Sequence, residues 1–433
     1  MPAVTVLDST MHYEETGTGT PFVFLHGNPT SSHIWRHVLP AMGPGVRGLA
    51  PDLIGMGQSG KPDIGYSFAD HARYLDAFID ALGLDKVVLV GHDWGGALAF
   101  DWAARHPGRV LGTAFFETIV RPMSWAELSE AARTRFEAFR SPAGESLVLD
   151  KNMFIETFPK AILSGLRDDD HNVYRAPYPT RESRRPMLAW ARSMPLDGEP
   201  ADVVARIGDY DRWLAATPGV PKLLLTFDSS PTLLIDEPVA AWCAANIAGL
   251  QSVHLGPAGH HAAEDKPHEI AAAILDWAGR HHLTAAVTLS PQILGQAENA
   301  HAAVLARELA GTGVTKNQWI ALNLIAAAGT PATADEVRGR IVGAVKIDSG
   351  QAGAVIGDLR SAGLLAGEDK VQVTEAGLAF LGRVRGATGA IVNRAYRDIP
   401  DEDLEAAGRV LSVITARLNS ELAVAAQAGE PGN

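Results

Sequence analysis

The chain has 433 residues, 46% of them hydrophobic, and a formal net charge of −13 at pH 7. That length allows two or three domains with a full apolar core, and the acidic balance disfavours nonspecific binding of the whole chain to nucleic acid or membrane. The single cysteine, Cys243, excludes an intrachain disulfide and a cysteine-based zinc site, and is expected as a small core residue on a helix.

The opening residues, Met1 to Val6, have neither the basic nor the apolar region of a secretory leader. No apolar stretch reaches the ~18 residues of a membrane span. A cytoplasmic protein without membrane partners is the expectation. Pro21 to Leu25 is a short apolar run ending in His26-Gly27, and Val46 to Pro51 leads into the glycine-rich stretch Asp52 to Gly60. Tyr66 to Leu82 has helical spacing, with Phe68, Ala72, Leu75, Phe78, Ile79 and Leu82 on one side. Val87 to Val90 reads as a buried strand, Ala97 to His106 as a helix ended by Pro107-Gly108, and Val110 to Phe116 as the next strand. Strands alternating with helices predict a mostly parallel α/β sheet.

Residues 118 to 218 break this rhythm. They are rich in Arg, Pro, Trp and Asp and read as a helical cap inserted over the carboxyl edge of the sheet. Pro221 to Thr226 resumes the strands, Gln251 to Leu255 is the last of them, and Glu269 to Ala278 is a closing helix. After His281-His282 the composition becomes alanine-rich and helical, with a two-strand signal near Leu364 to Val373. The predicted domains are a core over 1–117 and 219–282, a cap over 118–218 and a second domain over 290–433, with a frayed tail from Ala423.

The most informative segment is Gly91-His92-Asp93-Trp94-Gly95-Gly96, directly after a strand. It has the frame of a nucleophile elbow with an aspartate in place of the serine. A carboxylate is anionic at pH 7 and can attack a saturated carbon. The product is an alkyl ester that water can hydrolyse, whereas a serine would leave a stable ether. Asp93 therefore points to a hydrolase of electrophilic sp³ carbon, an alkyl halide or an epoxide.

Ester hydrolysis needs a base. His260, in Gly259-His260-His261 just after the last strand, has the position this fold gives its histidine, and His261 is its rival. A carboxylate must orient the imidazole. Glu117 and Asp228 both stand at carboxyl ends of strands, where such sheets build sites, and the residues alone leave them even. The leaving group needs N–H donors, which Asn28 and Trp94 can supply on either side of Asp93. Two such donors suit a halide. An alkoxide from an epoxide would want a proton donor, and Tyr174, Tyr178 and Tyr210 in the cap keep that option open.

His26-Gly27-Asn28-Pro29-Thr30-Ser31-Ser32, Pro51 to Gly60, Gly91 to Gly96, Phe116-Glu117, Val203 to Trp213 and Pro257 to Asp265 resemble the haloalkane dehalogenases of the α/β-hydrolase superfamily. The likeness runs through residues 4–282. It implies Asp93 as nucleophile, His260 as base, Glu117 as acid, and Asn28 with Trp94 as the halide-binding pair. It implies a small halogenated aliphatic substrate, a halide product, and no cofactor or metal. Epoxide hydrolases share the Gly91–Gly96 frame but usually place an aromatic residue at the position of Asn28. Coelenterazine-using luciferases share the whole pentad. Two departures stand out: His261 replaces a usual aromatic residue, and Phe227 to Pro231 is unusual for the family.

Residues 290–422 resemble winged-helix regulators of the multiple-antibiotic-resistance repressor type. The resemblance rests on Thr315 to Trp319, Ala334 to Val337, the helix Ser349 to Ser361, Gly363-Leu364-Leu365 and Val373 to Gly377. It implies a homodimer through the long helices around Leu289–Leu309 and Asp401–Leu422. Charge speaks against DNA binding. Residues 283–433 hold 13 Lys and Arg against 16 Asp and Glu, the recognition-like helix offers only Arg360, and the short wing only Lys370. A dehalogenase is the leading reading. An epoxide hydrolase, or a winged-helix regulator with a hydrolase-fold sensor, is the alternative.

Overall fold

A computed structural model of the chain describes residues 2–228, 234–397 and 399–428. It divides into two compact units, Met1–Val287 and Thr288–Asn433. No helix among the described residues is long and apolar enough to cross a membrane.

The first unit is built on eight strands: β1 (Ala3–Val6), β2 (Ser9–Gly17), β3 (Gly19–Leu25), β4 (Gly45–Pro51), β5 (Val87–Asp93), β6 (Val110–Thr118), β7 (Lys222–Thr226) and β8 (Leu250–His254). Their order in the sheet is β1-β2-β4-β3-β5-β6-β7-β8. From β4 onward the pairing is parallel, while β1 and β2 form an antiparallel hairpin at the edge. The hairpin has no clear mark in the sequence, because β2 interleaves Met11 and Tyr13 with His12, Glu14 and Glu15. β5 is apolar for its first four residues and buried along its whole length, as a central strand covered on both faces must be.

The covering helices follow from the pattern. α1 (Phe68–Ala81) starts at a capping box of Ser67 and Asp70 and buries Phe68, Ala72, Tyr74, Leu75, Phe78 and Ile79. α2 (Trp94–Arg105) begins directly after β5 and is buried over most of its length. The segment between β6 and β7 carries α3 (Glu130–Arg140), α4 (Met153–Thr157), α5 (Asp168–Arg175), α6 (Arg185–Arg192) and α7 (Ala201–Ala216), the helical cap. α8 (Glu237–Asn246) buries Cys243, as expected of it, and α9 (Ala262–Asp265) and α10 (Pro267–Arg280) close the unit. Each fully buried Leu or Phe of the continuous core contributes roughly 1.5–3 kcal/mol. This unit is an α/β-hydrolase fold.

The second unit contains α11 (Pro291–Leu309), α12 (Lys316–Ala328), β9 (Ala332–Thr333), α13 (Ala334–Val345), α14 (Ser349–Ser361), β10 (Leu365–Ala366), β11 (Lys370–Val373), α15 (Glu375–Tyr396) and α16 (Asp401–Ala428). The strands form a small antiparallel sheet in the order β10-β11-β9. Three capping boxes start its helices: Thr315 with Gln318, Thr333 with Glu336, and Asp348 with Gln351. Its separate core gathers Trp319, Leu322, Ile341, Ile356, Val371 and Leu381. α16 continues to Ala428, past the point where the sequence predicts fraying to begin. Residues 429–433 lie outside the described residues, as do Ser229 to Pro231 of the segment singled out in the sequence.

Candidate active site

β5 ends at Asp93, whose backbone sits at φ +53°, and α2 begins at the next residue. So tight a strand-to-helix turn leaves no room beside it. A Cβ on Gly91 would lie 2.3 Å from Gly96 Cα, and one on Gly95 would lie 2.1 Å from the Leu25 carbonyl oxygen. The positive φ of a non-glycine residue costs about 1–3 kcal/mol. The Thr118 hydroxyl, donating to the Asp93 carbonyl at 2.6 Å, helps hold the turn in place.

The two carboxylate oxygens of Asp93 have different neighbours. Oδ1 accepts the backbone N–H of Asn28 at 2.7 Å, and the Trp94 backbone N–H also hydrogen-bonds the carboxylate. Oδ2 lies 3.3 Å from His260 Nε2. Burial alone would raise the Asp93 pKa, but the hydrogen bond and charge of His260 outweigh it and hold the carboxyl below its ordinary value. Asp93 is therefore an anion.

His260 Nδ1 lies 3.1 Å from Glu117 Oε2. Glu117, near the end of β6, is buried at 1% exposure, and its two oxygens accept the backbone N–H groups of Leu234 at 2.8 Å and Ile235 at 3.3 Å. Asp228 is 56% exposed and pairs with His254 at 3.0 Å, so of the two carboxylates it is Glu117 that lies against His260. Burial works against a charge on His260, yet the hydrogen bonds and charges of Asp93 and Glu117 carry its pKa up to about 9. His261 is not placed against Asp93. Its ring is buried, facing His260 at 4.8 Å and Phe158 at 4.6 Å, and burial keeps it neutral.

The loop carrying His260 is clamped on several sides. His92 Nε2 donates to the His260 carbonyl at 2.8 Å, and Gly259 N–H donates to Asp265 Oδ2 at 2.9 Å. Glu264, four residues after His260, is buried and takes both arms of Arg36 at 2.7 and 2.8 Å, with the Tyr174 hydroxyl at 2.5 Å. Asp265 accepts Ser164 N–H at 2.7 Å. Tyr174 and Ser164 belong to the cap, so the cap fixes the histidine loop.

Asn28 and Trp94 flank Asp93, and both rest on α6. The Asn28 amide donates to the Met187 carbonyl at 3.3 Å. The Trp94 ring stacks on Trp190 at 4.6 Å between centres, with planes 22° apart, and Trp190 stacks in turn on His71 at 4.1 Å. No protein group accepts the Trp94 indole N–H among the described residues. One nitrogen from each of His92, His260 and His261 lies within 4.8 Å of the others, the one such cluster among the described residues that could hold a metal ion.

A family model described as the alpha/beta hydrolase fold matches residues 20–267. A haloalkane dehalogenase of Mesorhizobium japonicum is 49% identical over 280 residues, covering 63% of this chain and 89% of the relative. One of Bradyrhizobium diazoefficiens is 46% identical over 288 residues, covering 63% and 92%. Among solved structures, the haloalkane dehalogenase DbeA from Bradyrhizobium elkani matches at 46% identity and a TM-score of 0.62, over 65% of this chain and 98% of that one. The chain belongs to the haloalkane dehalogenases.

Two of the three cap tyrosines that kept the epoxide option open have hydroxyls engaged elsewhere. The Tyr174 hydroxyl is committed to Glu264, and that of Tyr210 to the Ile119 carbonyl at 2.5 Å. Tyr178 is buried against Lys61. The sequence reading overlooked the Asn28 backbone N–H on Asp93 Oδ1 and the Arg36–Glu264–Tyr174 clamp. The first had a signal in Gly27, where a Cβ would come 2.1 Å from Asp93 Oδ1. The clamp had none, since its members stand far apart in the chain.

Proposed function

We propose that the chain hydrolyses haloalkanes to alcohol, halide and a proton through an alkyl ester on Asp93. The observation that carries this reading is the unequal environment of the Asp93 carboxylate. Oδ1 is held by the Asn28 backbone N–H, while Oδ2 faces His260, whose other nitrogen meets buried Glu117. Oδ2 attacks the carbon in line, the C–O bond forms as the C–halogen bond breaks, and the halide departs toward the Asn28 amide and the Trp94 indole. A halide accepts hydrogen bonds and needs no proton, which matches two N–H donors.

Alkylation removes the negative charge of Asp93. His260 then loses one of the partners that hold its pKa at about 9, and its proton leaves. The freed Nε2 takes a proton from water as the water oxygen adds to Cγ, and Glu117 stabilises the imidazolium. Negative charge gathers on Oδ1, where the Asn28 N–H waits. The intermediate collapses by breaking the bond to the alkoxy oxygen, which leaves as alcohol with the proton from His260. Bromide release from 1-bromobutane and 1,2-dibromoethane by the purified protein, absent in Asp93→Asn, is the expected result. Wild-type release rates in Asp93→Asn would overturn the reading.

The second unit is proposed to be a winged-helix fold that joins two copies of the chain. α14 followed by the β10–β11 hairpin supports the fold, and α16 supports the self-association. α16 exposes Val410, Leu411, Val413, Leu418 and Leu422, with Leu411 and Leu418 at heptad spacing. A DNA reader is disfavoured further, because the one cation of α14, Arg360, is tied to the carbonyls of Gly367 and Glu368.

A further inference from the structure

The mechanism uses one of three histidines whose rings cluster together. The rings of His92 and His260 are 5.0 Å apart between centres, those of His92 and His261 5.5 Å, and those of His260 and His261 4.8 Å. Three imidazoles around a tetrahedral zinc ion, with bonds of about 2.0–2.1 Å, stand with their centres roughly 5 Å apart. Consecutive residues seldom serve one ion, but here the turn into α9 folds His261 back so that its ring meets that of His260 at 67°. The third ring comes from β5.

Two of these rings carry nitrogens that nothing satisfies. His92 donates Nε2–H to the His260 carbonyl, which leaves a lone pair on Nδ1. That Nδ1 is buried without a partner, and so is His261 Nδ1. A buried imidazole nitrogen without a partner costs free energy that a ligand would recover. Asp93 Oδ2, 3.3 Å from His260 Nε2, supplies negative charge beside the cluster.

We propose that His92, His260 and His261 form a site for a divalent d-block ion such as Zn²⁺, which inhibits the enzyme by occupying its base. Imidazole suits this class of ion, whereas Mg²⁺ and Ca²⁺ prefer oxygen. A bond from the ion to His260 Nε2 replaces its contact with Asp93 Oδ2, so the nitrogen that would take the proton of water is no longer available. The ion is an inhibitor and not a cofactor, because hydrolysis through Asp93 draws on protein groups and water alone. The inhibition rests on His260 acting as the base, while the binding does not.

The full chain, stripped of metal, is titrated with ZnCl₂ by calorimetry, and bromide release is followed in parallel. One ion per chain and a matching loss of activity, restored by EDTA, are expected. His261→Phe should weaken binding and inhibition together by roughly tenfold or more, with metal-free bromide release retained. His282→Asn, in the neighbouring histidine pair, should change neither. Undiminished zinc affinity in His261→Phe, bound zinc without inhibition, or no binding would each overturn the proposal. If His261→Phe fails to fold, Co²⁺ added to the unmodified chain decides the matter. Tetrahedral visible absorption bands that grow as activity falls support the site, and their absence refutes it. If the protein releases no bromide from any haloalkane, the calorimetric comparison still judges the site, and only the functional reading fails.

Discussion

At Asp93 and Asn28 the chemistry divides between side chain and backbone. In the proposed reaction the Asn28 side-chain amide receives the halide, while its backbone N–H is bonded to Asp93 Oδ1. Asn28→Ala should therefore slow formation of the alkyl-enzyme by about 10²–10³-fold, the usual cost of one lost anion donor, and leave hydrolysis of the ester nearly unchanged. Rapid-quench kinetics separate the two steps, and equal losses in both would contradict this assignment. His260 offers a second test. Its pKa of about 9 depends on Asp93, so in Asp93→Asn the imidazole should titrate at lower pH, which NMR of the ring protons can follow. An unchanged titration would mean that Asp93 does not hold the proton.

At the scale of elements, the cap acts as part of the site. Tyr174 and Ser164 hold the segment after His260, and α6 backs Asn28 and Trp94, the two residues proposed to receive the halide. Tyr174→Phe should leave KM unchanged, lower kcat, and cost about 1–3 kcal/mol in stability for the lost bond to a buried carboxylate. Steady-state kinetics with thermal melts test this, and a rise in KM alone would assign Tyr174 to substrate binding instead. Much of this architecture was legible in the sequence. β5 and α1 declared themselves through a continuous apolar run and a 3.6-residue period, and the elbow through its glycines. The β1–β2 hairpin was not legible, because its polar residues hide the alternation. The choice between Glu117 and Asp228 was not legible either. Both end parallel strands, and what separates them is a remote segment, Leu234-Ile235, whose N–H groups receive Glu117. Most of the histidine clamp and the α6 contacts join residues ninety or more positions apart, beyond the reach of any local pattern.

For the molecule as a whole, buried histidines contribute to the response to acid. Burial pushes His71 and His92 down to about 3 and depresses His26 and His261 as well. Each is neutral in the folded state, while the unfolded chain takes up its proton near pH 6.5. The stability they contribute is complete above 6.5 and is lost as pH falls toward their folded values, at about 1.4 kcal/mol per pH unit for each group. His260 behaves oppositely: its contribution is full below 6.5 and is lost as pH rises through about 9. His71→Phe should flatten the acid limb of the stability curve by one proton, and an unchanged slope would contradict its neutral state. Self-association belongs to the same scale. Leu411→Lys with Leu418→Lys should convert a dimer to a monomer by sedimentation while bromide release persists, and an unaltered dimer would place the interface elsewhere.

The central claim is a covalent alkyl ester on Asp93 that His260 clears. The most direct measurement is the intact mass of His260→Phe after exposure to 1-bromobutane, followed by peptide mapping. The account predicts a stable gain of one butyl group on the peptide that contains Asp93, and no gain in the double variant with Asp93→Asn. An unmodified protein that still releases bromide, or a butyl group on another residue, would contradict it.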